Sequence, residues 1–112
     1  MGILGRVISV FSSGPAIQNL DSVDMKVDFK DGGVLLPIIV SQHLNNSDEI
    51  RDLVSQKLET YLGYLATGEL REANYINVEL KCIKNPAPEI IELIDSYRFK
   101  FESHNAHLIW RS

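Results

Sequence analysis

The sequence is poor in cysteine, in basic residues and in long apolar runs. One cysteine among 112 residues cannot form an internal disulfide, which excludes a disulfide-stapled secreted mini-protein. No stretch approaches the roughly 18 apolar residues of a membrane span, so we expect no membrane partner. The 11 basic and 15 acidic side chains leave a net charge of −4. Nucleic-acid binders typically carry a basic excess, so we expect no nucleic-acid partner.

Motifs for catalysis and for cofactor binding are also missing. The chain contains no glycine-rich phosphate loop, and no G-x-S-x-G surrounds any serine. His43, His104 and His107 have no cysteine or carboxylate pattern beside them that completes a zinc site. Cys82 falls on the apolar face of its predicted strand, which indicates a buried core residue rather than a nucleophile. We therefore expect no catalytic residue, no cofactor and no metal, and predict that the protein is not an enzyme.

Length and composition predict one globular domain over residues 1–112. Apolar residues make up 45 % of the chain and charged residues 23 %, both ordinary for a folded domain. Residues 1–22 can add an edge strand, at 3–11, and a loop. Gly5 and Arg6 interrupt the only apolar run near the N-terminus, which is atypical of a signal peptide, so we expect a cytoplasmic protein.

Two strands and a turn are predicted in the first half of the chain. Residues 23–30 alternate, with Val23, Met25, Val27 and Phe29 on one face and charged residues on the other, the period of a half-buried strand. The following Asp-Gly-Gly supplies the positive φ that a tight hairpin needs. Residues 34–40 are apolar on both faces and form the return strand.

Two helices and two further strands follow. Apolar residues recur at three- and four-residue steps over 47–66, after Asn46 or Ser47 as a cap. Residues 74–83 alternate like a strand, Pro88 suits the first turn of a second helix, and 106–110 form a last strand. The order (β)ββαβαβ predicts an α+β two-layer sandwich. Its mixed, mostly antiparallel sheet has four to five strands and carries both helices on one face.

Part of the chain resembles a family of small uncharacterised bacterial α+β proteins. The resemblance rests on the hairpin DFKDGGVLLPIIVSQHL, with its short HL step, and on the helix DEIRDLVSQKLETYLGYLATGEL. It covers about half of the chain, and Gln42 stands where an acidic residue is expected before His43. The resemblance implies no activity, but small acidic bacterial domains of this build look like immunity proteins of toxin systems.

Two surface features suggest a role in protein binding. Leu35 and Ile39 give the return strand an apolar outer face, which marks an interface unless another segment of the chain covers it. Residues 3–11 could be that cover. Glu89, Glu92 and Asp95 form an acidic stripe on the second helix that can steer a basic partner, although such a stripe also suits a merely solvated helix.

We therefore expect a non-enzymatic protein-binding domain, most concretely a toxin-neutralising immunity protein that acts by occlusion. The partner-binding candidates are Leu35 and Ile39 for the buried contact and the acidic stripe for steering. One alternative is a homodimeric structural or regulatory module that buries the same apolar patch between two copies. Another is a small enzyme or ligand-binding domain that uses His43 and nearby carboxylates.

Overall fold

The computed structural model describes residues 15–112, so the strand predicted at 3–11 lies outside the described residues. The described part is α+β, with two helices and one mixed sheet of four strands. Its elements in chain order are β1 (Val27–Asp28), β2 (Gly33–Ile39), α1 (Asp48–Ala66), β3 (Tyr75–Lys81), α2 (Pro88–Glu102) and β4 (Ala106–Arg111).

The sheet differs from the predicted one in how its strands pair. The strands lie in the order β1-β2-β3-β4; β1 and β2 are antiparallel, whereas β2–β3 and β3–β4 are parallel. The expectation of a mostly antiparallel sheet is therefore wrong. The reason is that α1 and α2 each return the chain to the end of the sheet where the previous strand began, so the next strand runs in the same direction.

The two faces of the sheet have different surroundings. On the face that we call the core face, side chains are at most 4 % exposed along β2 and β3, and they form one cluster with the buried residues of α1 and α2. Its members on the three long strands are Val34, Leu36, Ile38, Ile76, Val78, Leu80, Ala106 and Leu108. The residues between them point the opposite way, onto what we call the outer face.

The first helix occupies the range that the sequence predicts to within one residue, and the second begins at the predicted proline. Ser47 caps α1, its hydroxyl accepting a hydrogen bond from the Ile50 N–H at 3.2 Å. Two acidic residues in the first turn suit the positive end of the helix dipole. Gly68 takes a positive φ of 80° just past the end of α1. Pro88 occupies the first turn of α2, where its missing N–H leaves no intrahelical hydrogen bond unmade.

The first hairpin has the predicted turn but not the expected inner face. Gly32 has φ 91°, and the Phe29 N–H donates to the Gly33 carbonyl at 2.9 Å. Val27 lies opposite Leu35, and residues that are opposite each other share a face. Val27 therefore lies on the outer face. Met25 and Phe29 are 49 % and 42 % exposed, whereas Val23 packs against the core cluster.

Gly33 is required at the start of β2 because the Tyr75 ring lies directly over it. A Cβ atom on Gly33 would overlap that ring. The Tyr75 hydroxyl donates to the Asp31 carboxylate at 2.9 Å, and this hydrogen bond raises the pKa of Tyr75. The ring is therefore tied to the hairpin turn and cannot move aside freely.

We predict that Gly33→Ala lowers the free energy of unfolding by about 1–3 kcal/mol, because the methyl group displaces a tethered ring. Gly63→Ala is the matched control, since a Cβ there meets nothing within 4 Å on an exposed turn of α1. It should raise stability by about 0.5–1 kcal/mol through helix propensity. Urea unfolding of both variants measures this, and equal effects would contradict the assignment of the Tyr75 ring.

Candidate protein-interaction face

The outer face is a mixed apolar and polar surface built from cross-strand rows. Each row joins residues that the sheet register places opposite one another. One row runs through Val27, Leu35, Asn77 and His107, the next through Pro37, Glu79 and Ile109, and the last through Ile39, Lys81 and Arg111. Apolar residues concentrate on β1 and β2, and polar residues on β3 and β4. The face therefore has an apolar half and a charged half.

Glu79 is a buried carboxylate in the middle of this face. It is only 4 % exposed, and it forms an ion pair with Arg111, whose side chain is 69 % exposed. A buried carboxylate without a partner is strongly destabilising, so Glu79 holds the guanidinium of Arg111 in place. Sequence alternation puts Glu79 among the polar residues of β3 but does not single it out. Its burial depends on neighbours from other strands.

Both predicted apolar contacts lie on the outer face. Leu35 is half-buried, while Ile39 is 53 % exposed at the end of β2. Lys81 and Arg111, both exposed, follow Ile39 in the same cross-strand row. The apolar patch is therefore bordered by basic side chains.

The predicted acidic stripe lies on the other side of the molecule. Glu89, Glu92 and Asp95 are exposed on α2, and Asp95 forms an ion pair with Arg98 at 3.3 Å. The buried side of α2 joins the core cluster, which belongs to the core face of the sheet. The structure thus does not bring the stripe together with Leu35 and Ile39.

A buried lysine of α1 binds residues 18–24, the segment that lies beside Ile39. Lys57 of α1 is 1 % exposed, and its ammonium donates to the carbonyls of Gln18 at 2.9 Å, Asn19 at 2.7 Å and Ser22 at 3.0 Å. The Asp24 carboxylate completes the set at 3.0 Å. These contacts satisfy a buried charge that would otherwise be costly. Lys57 therefore fixes residues 18–24 against α1.

Tyr61 and a small cavity complete this corner. The Tyr61 hydroxyl accepts a hydrogen bond from the Asp24 N–H at 3.2 Å, and burial raises its pKa to about 12. A cavity of about 250 Å³ opens between the fastened segment and the end of β2, lined by Gln18, Asn19, Asp24, Ile39 and Ser41. Ile39 therefore lines a cavity whose other side is formed by residues 18–24, and Lys57 holds that segment in position.

The remaining candidate side chains are scattered. His43 is half-buried ahead of α1, His104 precedes β4, and His107 is exposed on the outer face. Burial raises the pKa of the Cys82 thiol to about 11, so this thiol stays protonated at neutral pH. Within residues 15–112 no three His, Cys, Asp or Glu side chains are grouped so that they could hold a metal ion. In the same range no helix has the length and apolar character needed to cross a membrane.

Comparison of the chain with protein-family models, with curated proteins and with solved structures finds no match. The family resemblance seen in the hairpin and the first helix therefore stays a prediction.

We predict that Lys57→Met lowers the free energy of unfolding by about 3–5 kcal/mol, because it leaves a carboxylate and three carbonyls without their partner. The matched control is Lys100→Met, which removes an exposed ammonium 5.1 Å from the Tyr97 ring. That change should cost less than about 1 kcal/mol. Denaturant unfolding measures both, and similar losses would show that the Lys57 contacts do not stabilise the fold.

Proposed function

We propose that this chain is a non-enzymatic, cytoplasmic protein-binding domain that covers its partner with the outer face of the sheet. The observation that supports the proposal is the exposure of three apolar side chains in or beside β1 and β2. Met25, Phe29 and Ile39 are 49 %, 42 % and 53 % exposed. Contiguous exposed apolar residues bordered by charge mark interaction surfaces. In the two-layer arrangement that we infer, the helices occupy the core face and leave the outer face to a partner.

The mechanism combines apolar burial with electrostatic guidance. Leu35 and Ile39 supply the buried contact. Lys81 and Arg111 continue the cross-strand row of Ile39 and favour a partner whose own apolar patch is bordered by acidic residues. A toxin-neutralising immunity protein is the specific form of this proposal, in which the covered surface of the partner is the active surface of a toxin.

The acidic stripe on α2 has a different place in this mechanism from the one expected from the sequence. Glu89, Glu92 and Asp95 lie on the opposite side of the molecule from the apolar patch, so one partner surface cannot engage both. We propose that the basic residues of the outer face, rather than the stripe, guide association.

The test is co-expression with the product of the adjacent gene, followed by pull-down and measurement of association kinetics. Ile39→Asp should weaken the complex about tenfold or more, because it places a charge in the proposed apolar contact. Phe99→Asp is the matched control, since Phe99 is 67 % exposed on α2. That change should leave the affinity within about twofold.

Charge variants separate the two possible sources of guidance. Lys81→Glu should slow association and reduce its dependence on salt, whereas Glu92→Lys should do neither. A loss of binding in Phe99→Asp with no loss in Ile39→Asp would place the interface on the helices and reject the outer face. Absence of any complex would reject the immunity function.

The homodimeric alternative makes its own prediction in the same samples. Burial of the outer face between two copies doubles the mass of 12.6 kDa in light scattering without any partner, and Ile39→Asp abolishes the increase.

A further inference from the structure

A second candidate site lies at the end of the sheet where β3 and β4 begin. A cavity of about 330 Å³ opens there between the end of α1, the turn that follows it and the residues before β4. This volume is within the range of about 300–1,000 Å³ that small-molecule pockets occupy. The cavity is lined by Leu65, Ala66, Gly68, Leu70, Arg71, Ile76, His104 and Asn105. None of these belongs to the outer face, so the site does not rest on the proposed function.

The floor of this cavity is apolar. Leu65, Leu70 and Ile76 are 6 %, 7 % and 3 % exposed, and all three belong to the core cluster. A ligand that reaches this floor would therefore contact hydrocarbon, which favours an apolar body.

The mouth of the cavity carries cationic and donor side chains. Arg71 is exposed, His104 is half-buried, and Asn105 contributes an amide. Two residues with positive φ, Gly68 at 80° and Asn105 at 61°, shape the backbone on either side. The side chains of Arg71, His104 and Asn105 thus place hydrogen-bond donors around the opening of a cavity with an apolar floor.

Arg71 differs from the other described arginines in having no side-chain partner. In residues 15–112, Arg51 donates to Asn46, Arg98 pairs with Asp95, and Arg111 pairs with Glu79. Glu69 and Glu72 line an adjoining cavity together with Arg71, yet no ion pair joins either of them to it in that range. A guanidinium presents a planar set of donors that matches a carboxylate.

The C-terminal end of α1 lies beside this cavity and disfavours a bound anion unless a cationic side chain is close by. The helix ends at Ala66 without a basic residue in its last turn, so its dipole leaves partial negative charge beside the cavity. An anion could bind there only if a nearby cation outweighed that charge. Arg71 provides that cation, and His104 is available as a second hydrogen-bond donor.

We propose that this cavity binds a small organic carboxylate, with its apolar body against Leu65, Leu70 and Ile76 and its carboxylate on the Arg71 guanidinium. His104 donates a second hydrogen bond to the carboxylate. The ligand is thus a monoanion with a short aliphatic or aromatic body rather than a sugar or a nucleotide.

The experiment is an amide NMR titration of the full chain with benzoate and, separately, with neutral benzamide of the same shape. Benzoate should shift the resonances of Gly68, Ile76 and Asn105, and benzamide should shift them at least about tenfold more weakly. Equal shifts from both compounds, or shifts spread over the whole surface, would overturn the proposal.

Variants test the assigned group. Arg71→Gln should abolish saturable benzoate binding, while Arg98→Gln, a matched change on α2, should leave it unchanged. Arg71→Lys should restore part of the affinity, because it keeps the charge but not the paired donors. Binding that survives Arg71→Gln, or that Arg98→Gln removes equally, would reject the site. The folding of each variant is checked by its thermal unfolding temperature, and Ile39→Asp should bind benzoate normally.

Discussion

The burial of one ammonium group determines how the chain before the sheet packs against α1. Lys57 lies among apolar neighbours of α1, and its charge is compensated only because residues 18–24 bring three carbonyls and one carboxylate to it. Asp24 must therefore face α1. The next residue, Met25, is 49 % exposed, and Val27 lies opposite Leu35 on the outer face. The Lys57 contacts thus fix the segment that leads into β1.

This dependence explains which parts of the fold were predictable from the sequence. The helix positions, the Ser47 cap, the Asp-Gly-Gly turn and the burial of Cys82 follow from periodicity and turn chemistry within a few residues, and all are confirmed. The direction of strand pairing was predicted wrongly because it depends on the path of whole helices. Alternation over 23–30 defines two faces but does not say which one packs inward. In the structure Asp24 pairs with Lys57, which is more than 25 residues away along the chain.

The signals for the missed residues were present but needed a three-dimensional context. Lys57 lies three residues after Val54 and four before Tyr61, so it interrupts the apolar stripe of α1 with a charge. A charged residue inside such a stripe indicates a buried ion pair, although the sequence alone does not identify its partner. Glu79 alternates like any solvent-facing residue of β3. Its ion pair with Arg111 joins neighbouring strands and could be found only once the parallel register was known.

The same geometry decides how the charges of the molecule act at a distance. An amphipathic helix turns its solvent side away from the sheet, so acids on α2 and apolar residues on the outer face necessarily lie on opposite surfaces. The net charge of −4 is then unevenly distributed, with Lys81 and Arg111 on one side and the acidic stripe on the other. Exposed charges act over roughly one Debye length, about 8–10 Å in physiological salt, so each surface presents mainly its own charges to an approaching molecule. For this reason the proposed guidance of a partner rests on Lys81 and Arg111 and not on the acidic stripe of α2.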